Sequence, residues 1–160
     1  MTVEGPAKIL RQLFDVAVES ADPLKCVSAH LEHHSFNTVK GRIVVVGAGK
    51  ASAAMALAVE KSLSGKISGL VVTRYGGSLP CDQIEIIEAA HPVPDLYGLK
   101  AAERILKLAK DLGPKDLLLC LISGGGSALL SLPAAGITFE DKITINTALL
   151  RSGATISEMN

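Results

Sequence analysis

The sequence predicts an α/β fold built on a doubly wound, mostly parallel sheet with helices on both faces, a three-layer α/β/α arrangement. Three observations point there. Hydrophobic residues make up 48% of the chain but aromatic ones only 3%, with no Trp, so the apolar content is Val, Ile, Leu and Ala, the mix that fills strands buried on both faces. Short β-branched runs alternate with segments of helical period along most of the chain, the pattern of βαβ units. Two glycine-rich turns each close an apolar run, and ligands of such sheets bind beyond the carboxyl ends of the strands.

Each element has its own signal. Ile9, Leu10, Leu13, Phe14 and Ala17 recur at helical spacing after Pro6, and Asp22 with Pro23 supplies the cap and first-turn proline of a second helix. Ile43-Val44-Val45-Val46 reads as a strand ending at Gly47, and the Ala-rich residues 51–63 as a helix closed by Gly65. Further strands are expected over 69–73, 84–88 and 116–122, with a helix over 96–112 that Asp95 starts and Gly113-Pro114 stops. Thr138 and Asp141 form a capping-box pattern for a helix reaching Ser152, with Gly153 as its stop. Thr155-Ile156-Ser157-Glu158 repeats that start signal, but the chain stops at Asn160 with no helix expected to follow. The expectation is therefore a Rossmann-like sheet incomplete at its C-terminal side, ending inside a larger protein.

At 160 residues the chain has the length of one domain and can bury one core. Sixteen Lys and Arg balance sixteen Asp and Glu, which leaves no electrostatic footprint for nucleic acid or an anionic membrane, so any anion must be bound locally. Charged residues interrupt every apolar run before it could span a bilayer, and the N-terminus has no signal-peptide pattern; the expected location is the cytoplasm. Cys26, Cys81 and Cys120 are an odd number without C-x-x-C spacing, which argues against a disulfide framework or zinc site. Cys120, within the apolar run 117–122, reads as a packing residue. His30, His33 and His34 match neither H-E-x-x-H nor H-x-x-E-H and read as a solvated helix end rather than a metal site.

Gly47-Ala48-Gly49-Lys50-Ala51-Ser52 opens a helix directly after a strand, where backbone N–H groups and the helix dipole can hold a phosphate and a lysine can neutralise it. Lys50 is placed where the dipole disfavours a cation, which favours a bound anion over a merely solvated side chain. Val44 stands where a Walker A motif has its first glycine, and Ala51 where it has Ser or Thr. A dinucleotide fingerprint would have Gly or Ala at Ser52 and an acidic residue about twenty positions on, yet the next strand ends at Thr73-Arg74. NAD is disfavoured, and an NADP-type site using Arg74 stays open. Arg74 and Tyr75 follow a strand's carboxyl end, although Gly76-Gly77 beside them also marks an ordinary turn.

Ser123-Gly124-Gly125-Gly126-Ser127 is the stronger pattern, because three consecutive glycines after a buried strand let backbone approach a ligand while two hydroxyls bond its oxygens. Neither serine sits in G-x-S-x-G, which argues against a serine hydrolase. His91-Pro92-Val93-Pro94-Asp95 is a loop stiffened by two prolines. His91 is a candidate for the cleft; Asp95 is explained by helix capping alone but remains a candidate substrate contact.

Taken in order, VVVGAGKASAAMA, VVTRYGG, EAAHPVPD, LISGGGSALLSLP and LLRSGATISEMN resemble the N-terminal portion of class II, MOFRL-type glycerate 2-kinases, some of which are named hydroxypyruvate reductase. Ala90 departs from the glycine common in that family before the histidine. The resemblance implies transfer of a phosphoryl group from ATP to the 2-hydroxyl of D-glycerate, giving 2-phosphoglycerate, with Mg2+ accompanying the nucleotide. It implies a catalytic role for Lys50, cofactor contacts at Gly47, Gly49, Ser123, Gly124, Gly125, Gly126 and Ser127, and a C-terminal MOFRL domain beyond residues 1–160. The family's downstream S-D-V-x-G-D and G-G-R-N-Q-E segments have no counterpart here, so the chain alone is expected to be inactive and to self-associate, as a homo-oligomer or through its final helix. Which glycine loop holds ATP and which holds D-glycerate is open at this level. The rival readings are an NADP-dependent hydroxypyruvate reductase and a non-catalytic module that binds a nucleotide or sugar acid.

Overall fold

A computed structural model describes residues 5–34, 36 and 39–159. The elements are α1 (Pro6–Ser20), α2 (Pro23–Glu32), β1 (Ile43–Ala48), α3 (Ser52–Ser62), β2 (Ile67–Arg74), β3 (Ile84–Ala89), α4 (Leu96–Lys110), β4 (Leu117–Ile122), α5 (Gly126–Leu129), α6 (Phe139–Ser152) and α7 (Ile156–Met159). The four strands form one sheet in the order β3-β2-β1-β4, and every pairing is parallel. The chain thus steps from β1 outward to β3 and returns through α4 to place β4 on the other flank of β1. That reversal is the topological switch point of a doubly wound sheet, and its crevice opens beyond the carboxyl ends of β1 and β4.

The two faces are filled by different helices. Val45, Val71, Ile84 and Leu121 point to one side, where Ala56 and Val59 of α3 and Leu31 of α2 cover them. Val44, Val46, Leu70 and Val72 point to the other, against Ala101 and Ile105 of α4 and Leu129 of α5. All six residues of β1 are buried, as the continuous apolar run requires of a central parallel strand. Alanines at 53, 56 and 58 let α3 approach closely. Gly69 in β2 has φ +145°, and a Cβ there would run into the Val45 carbonyl oxygen of β1.

Three expectations are corrected. The strand-helix alternation breaks between β2 and β3, which are joined by residues 75–83 without a helix; the Glu60 carboxylate of α3 accepts from the N–H groups of Asp82, Gln83 and Ile84 at 2.9, 2.7 and 2.6 Å and anchors that return. Cys120 is exposed rather than packed, because β4 is an edge strand and the segment after Ile122 leaves part of it uncovered; Ile122 is 60% exposed. The Thr155 start signal does initiate an element: α7 follows it, and Glu158 accepts from the Thr155 N–H at 2.8 Å and its hydroxyl at 2.9 Å. The box closes on one turn because it needs only the four residues 155–158.

Candidate functional site

The two glycine turns meet at the switch point and are stitched to each other. β1 runs on to Ala48, so the turn begins one residue later than the sequence suggests. The Ser123 N–H donates to Ala48 O at 3.1 Å, the Lys50 N–H to Gly124 O at 2.9 Å, and the Ala51 N–H to Ser123 Oγ at 3.1 Å. The Gly49 N–H donates to Val72 O at 3.0 Å and the Ser52 N–H to Gly49 O at 3.2 Å. Every backbone donor from Gly49 through Ser52 is therefore consumed within the fold. The first turn cannot cradle a phosphate with its amides, as the sequence pattern suggests it would; its one outward group is the Lys50 side chain, which is exposed.

The second turn has the complementary character. Gly125 has φ +91°, a conformation that disfavours a β-branched side chain, and a Cβ on it would come within 2.9 Å of His91 Nε2 and 3.4 Å of Lys50 Cγ. A Cβ on Gly124 would meet Lys50 Cε at 3.9 Å. The stem of Lys50 and the His91 ring thus both adjoin the space that a side chain at Gly125 would fill. Among the described residues, none accepts a hydrogen bond from the Gly124 or Gly125 N–H, so these two donors are unspent beside the Lys50 side chain.

These groups line an open cavity of about 660 Å3, together with Ser123, Gly126, Ser127, and Lys142 and Asn146 of α6. No Asp or Glu lines it. Two ammonium groups, an imidazole and free amides without an opposing carboxylate fit an anion. Among the described residues no group of three His, Cys, Asp or Glu could hold a metal ion, and a Mg2+ site takes one or two carboxylates with phosphate oxygens; the cleft of this chain does not fit that ion.

Four of the sequence candidates fall outside the cavity lining. Gly47 lies inside β1, paired with Val71 and Leu121, where a Cβ would strike Leu121, so it serves strand packing. Gly49, with φ +137°, is buried against Ser123 and permits the stitch rather than a ligand contact. Arg74 is exposed and donates to Tyr75 O at 3.4 Å. Asp95 caps α4, accepting from the Tyr97 and Gly98 N–H groups at 3.1 and 3.0 Å, and takes the Tyr75 hydroxyl at 2.6 Å. That hydrogen bond is the main cause pushing the Tyr75 hydroxyl up to about 12; burial pushes Asp95 up, but the bonds from Tyr75, Gly98 and Tyr97 prevail and hold its carboxyl below the usual range.

The model of the family described as "Domain of unknown function (DUF4147)" matches residues 9–160. The chain belongs to the DUF4147 family. A relative of this DUF4147 chain in Agrobacterium vitis, named "Putative hydroxypyruvate reductase", is 54% identical over 96% of the chain and 34% of its own length. The D-glycerate 2-kinase of Thermotoga maritima is 39% identical over 98% of the chain and 37% of its own length. The crystal structure of a glycerate kinase of Thermotoga maritima superimposes with a TM-score of 0.80 at 39% identity, covering 94% of this chain and 36% of that one. The chain therefore spans about a third of the length of these relatives. Lys142 and Asn146, which no sequence motif singles out, line the same cavity of this chain as Lys50. Their signal was a spacing of four in a capped helix, which places both on one face, but no motif marked that face.

Proposed function

We propose that the whole protein carrying this DUF4147 domain is a glycerate 2-kinase, transferring the γ-phosphoryl group of ATP to the 2-hydroxyl of D-glycerate. The observation that carries the reading is the carboxylate-free, cationic cleft at the switch point, with Lys50 beside the triple glycine. ATP supplies the phosphoryl group; the bond to its bridging oxygen breaks as the bond to the glycerate oxygen forms. The hydroxyl proton is released. Such a transfer asks the protein mainly for alignment and charge stabilisation. Lys50 meets the charge on the phosphoryl oxygens, the Gly124 and Gly125 amides orient an anionic oxygen, and Ser127 and His91 hydrogen-bond beside them. Residues 1–160 are then the N-terminal part of the kinase domain, and the groups that hold Mg2+ come from chain beyond it, as would a MOFRL domain.

The reductase reading rests on the name of the Agrobacterium vitis relatives. It needs amides of residues 47–52 for a pyrophosphate, and those of residues 49–52 are already consumed. The two readings separate in one experiment on the whole protein. ADP release with ATP, Mg2+ and D-glycerate is expected, without oxidation of NADPH by hydroxypyruvate. Lys50→Ala should lower kcat at least about a hundredfold with the melting temperature within a few degrees of wild type. NADPH oxidation without ADP release would replace the kinase reading, and near-normal kcat in the variant would remove Lys50 from it.

A further inference from the structure

Lys142 and Asn146 reach the cleft from α6, an element separate from both glycine turns. They are four residues apart, hence on one helical face, and Leu150, four further on, lines the same cavity. α6 is fixed at its start by a closed capping box, in which Thr138 Oγ1 accepts from the Asp141 N–H at 3.0 Å and Asp141 Oδ2 from the Thr138 N–H at 3.0 Å. One turn later Asn146 Nδ2 donates to Pro92 O at 3.1 Å, tying α6 to the loop that carries His91. Lys142, between these two fixings, is half-buried. Among the described residues its ammonium has neither an ion-pair nor a hydrogen-bond partner. A cation without a protein partner, lining a cleft that no carboxylate enters, leaves its charge to water or to an anion from solution, and an anion already held by the facing amides gains from it.

We propose that Lys142 is the second cation of the cleft and binds an anionic oxygen of the substrates, so that α6 and the triple-glycine turn hold the charge from two elements. Asn146, through its bond to Pro92 O, ties the helical face that carries Lys142 to the loop that carries His91. The ligand chemistry is an oxyanion, borne either by a polyphosphate or by the carboxylate of a small hydroxy acid. This rests on the anion-cleft reading above and extends it to a residue on a different element.

Calorimetric titration of the 160-residue chain with inorganic triphosphate, and separately with D-glycerate, tests it. Wild type should bind at least one of the two, and whichever binds identifies the source of the oxyanion. Lys142→Met should weaken that binding about tenfold or more, the scale of one charge-assisted hydrogen bond, with an unchanged melting temperature. Lys142→Arg, which keeps the charge, should recover most of it. If Lys142→Met binds as wild type does while Lys50→Met is weakened, the cleft reading stands and the role of Lys142 falls. An equal loss in the Met and Arg variants would overturn a charge-based role, and binding of neither anion by wild type would overturn the cleft reading and this proposal together.

Discussion

Gly125 keeps the cleft open by having no side chain. Its positive φ disfavours a β-branched residue, and its Cβ would occupy the space between His91 and Lys50. Gly125→Val should therefore abolish binding of whichever anion wild type takes in the same titrations, and unchanged binding would reassign the turn to packing. Gly49 resembles Gly125 in sequence but not in consequence, since its missing Cβ makes room for Ser123. The same residue type thus opens a site at one position and joins two loops at the other. Burial and hydrogen-bond inventory separate the two cases; residue type alone does not.

Among the elements, β4 enters the sheet beside a carboxylate clamp that adds to the backbone bonds from Gly41 N–H to Lys115 O and from Leu117 N–H to Arg42 O. Asp116 accepts from the Arg42 backbone N–H at 2.8 Å, from Arg42 Nη2 at 2.9 Å and from the Gly113 N–H at 3.1 Å. The start of β4 is thereby clamped to the residue before β1. The Arg42 guanidinium is the leading cause holding the Asp116 carboxyl down at about 2, with the Arg42 and Gly113 N–H groups adding to it. A folded-state value below the ordinary 3.8 means that the clamp stabilises fully above about pH 4 and is lost as the pH falls toward about 2. The melting temperature of Asp116→Asn should lie below that of wild type at pH 6, and the gap should close between about pH 4 and pH 2. A gap independent of pH would assign the effect to packing instead. The sequence marked Asp116 only as a strand start, because its partner Arg42 is 74 positions away.

At the scale of the molecule, among the described residues both β3 and β4 are edge strands, and the β4 side also carries an uncovered apolar groove. β4 presents an unpaired edge, and an apolar groove of about 360 Å3 runs beside it, lined by Ile105, Leu106, Leu118, Ile122, Leu130 and Leu132 among others. Open edges with apolar flanks favour association. Sedimentation of the 160-residue chain should show mass increasing with concentration, and Ile122→Lys should suppress it; a monomer at all concentrations would mean that this flank is stable in water. The cleft is likewise one-signed, with cations and amides but no carboxylate. The chain alone should bind an anion and yet release no ADP from ATP and D-glycerate in the presence of Mg2+, whereas robust turnover would place the entire machinery within these residues. Among the described residues no helix is long and apolar enough to cross a membrane.

Local chemistry carried most of the fold. The β-branched runs, the Asp22, Asp95 and Thr138 caps and the Gly153 stop each act within a few residues of the chain, and the structure has an element at each. Lys50, His91 and the serine-glycine turn were also legible, because ligand sites of parallel sheets lie at strand ends and those residues follow strand ends. What tertiary structure alone decided was which groups remained free. The amides of the first glycine turn were spent within the fold, Asp95 was taken by α4 and Tyr75, and α6 was tied to the His91 loop by a hydrogen bond from Asn146 to Pro92, 54 residues away. Availability for a ligand is the remainder after every partner in space has been satisfied, and partners distant along the chain leave no mark in local sequence.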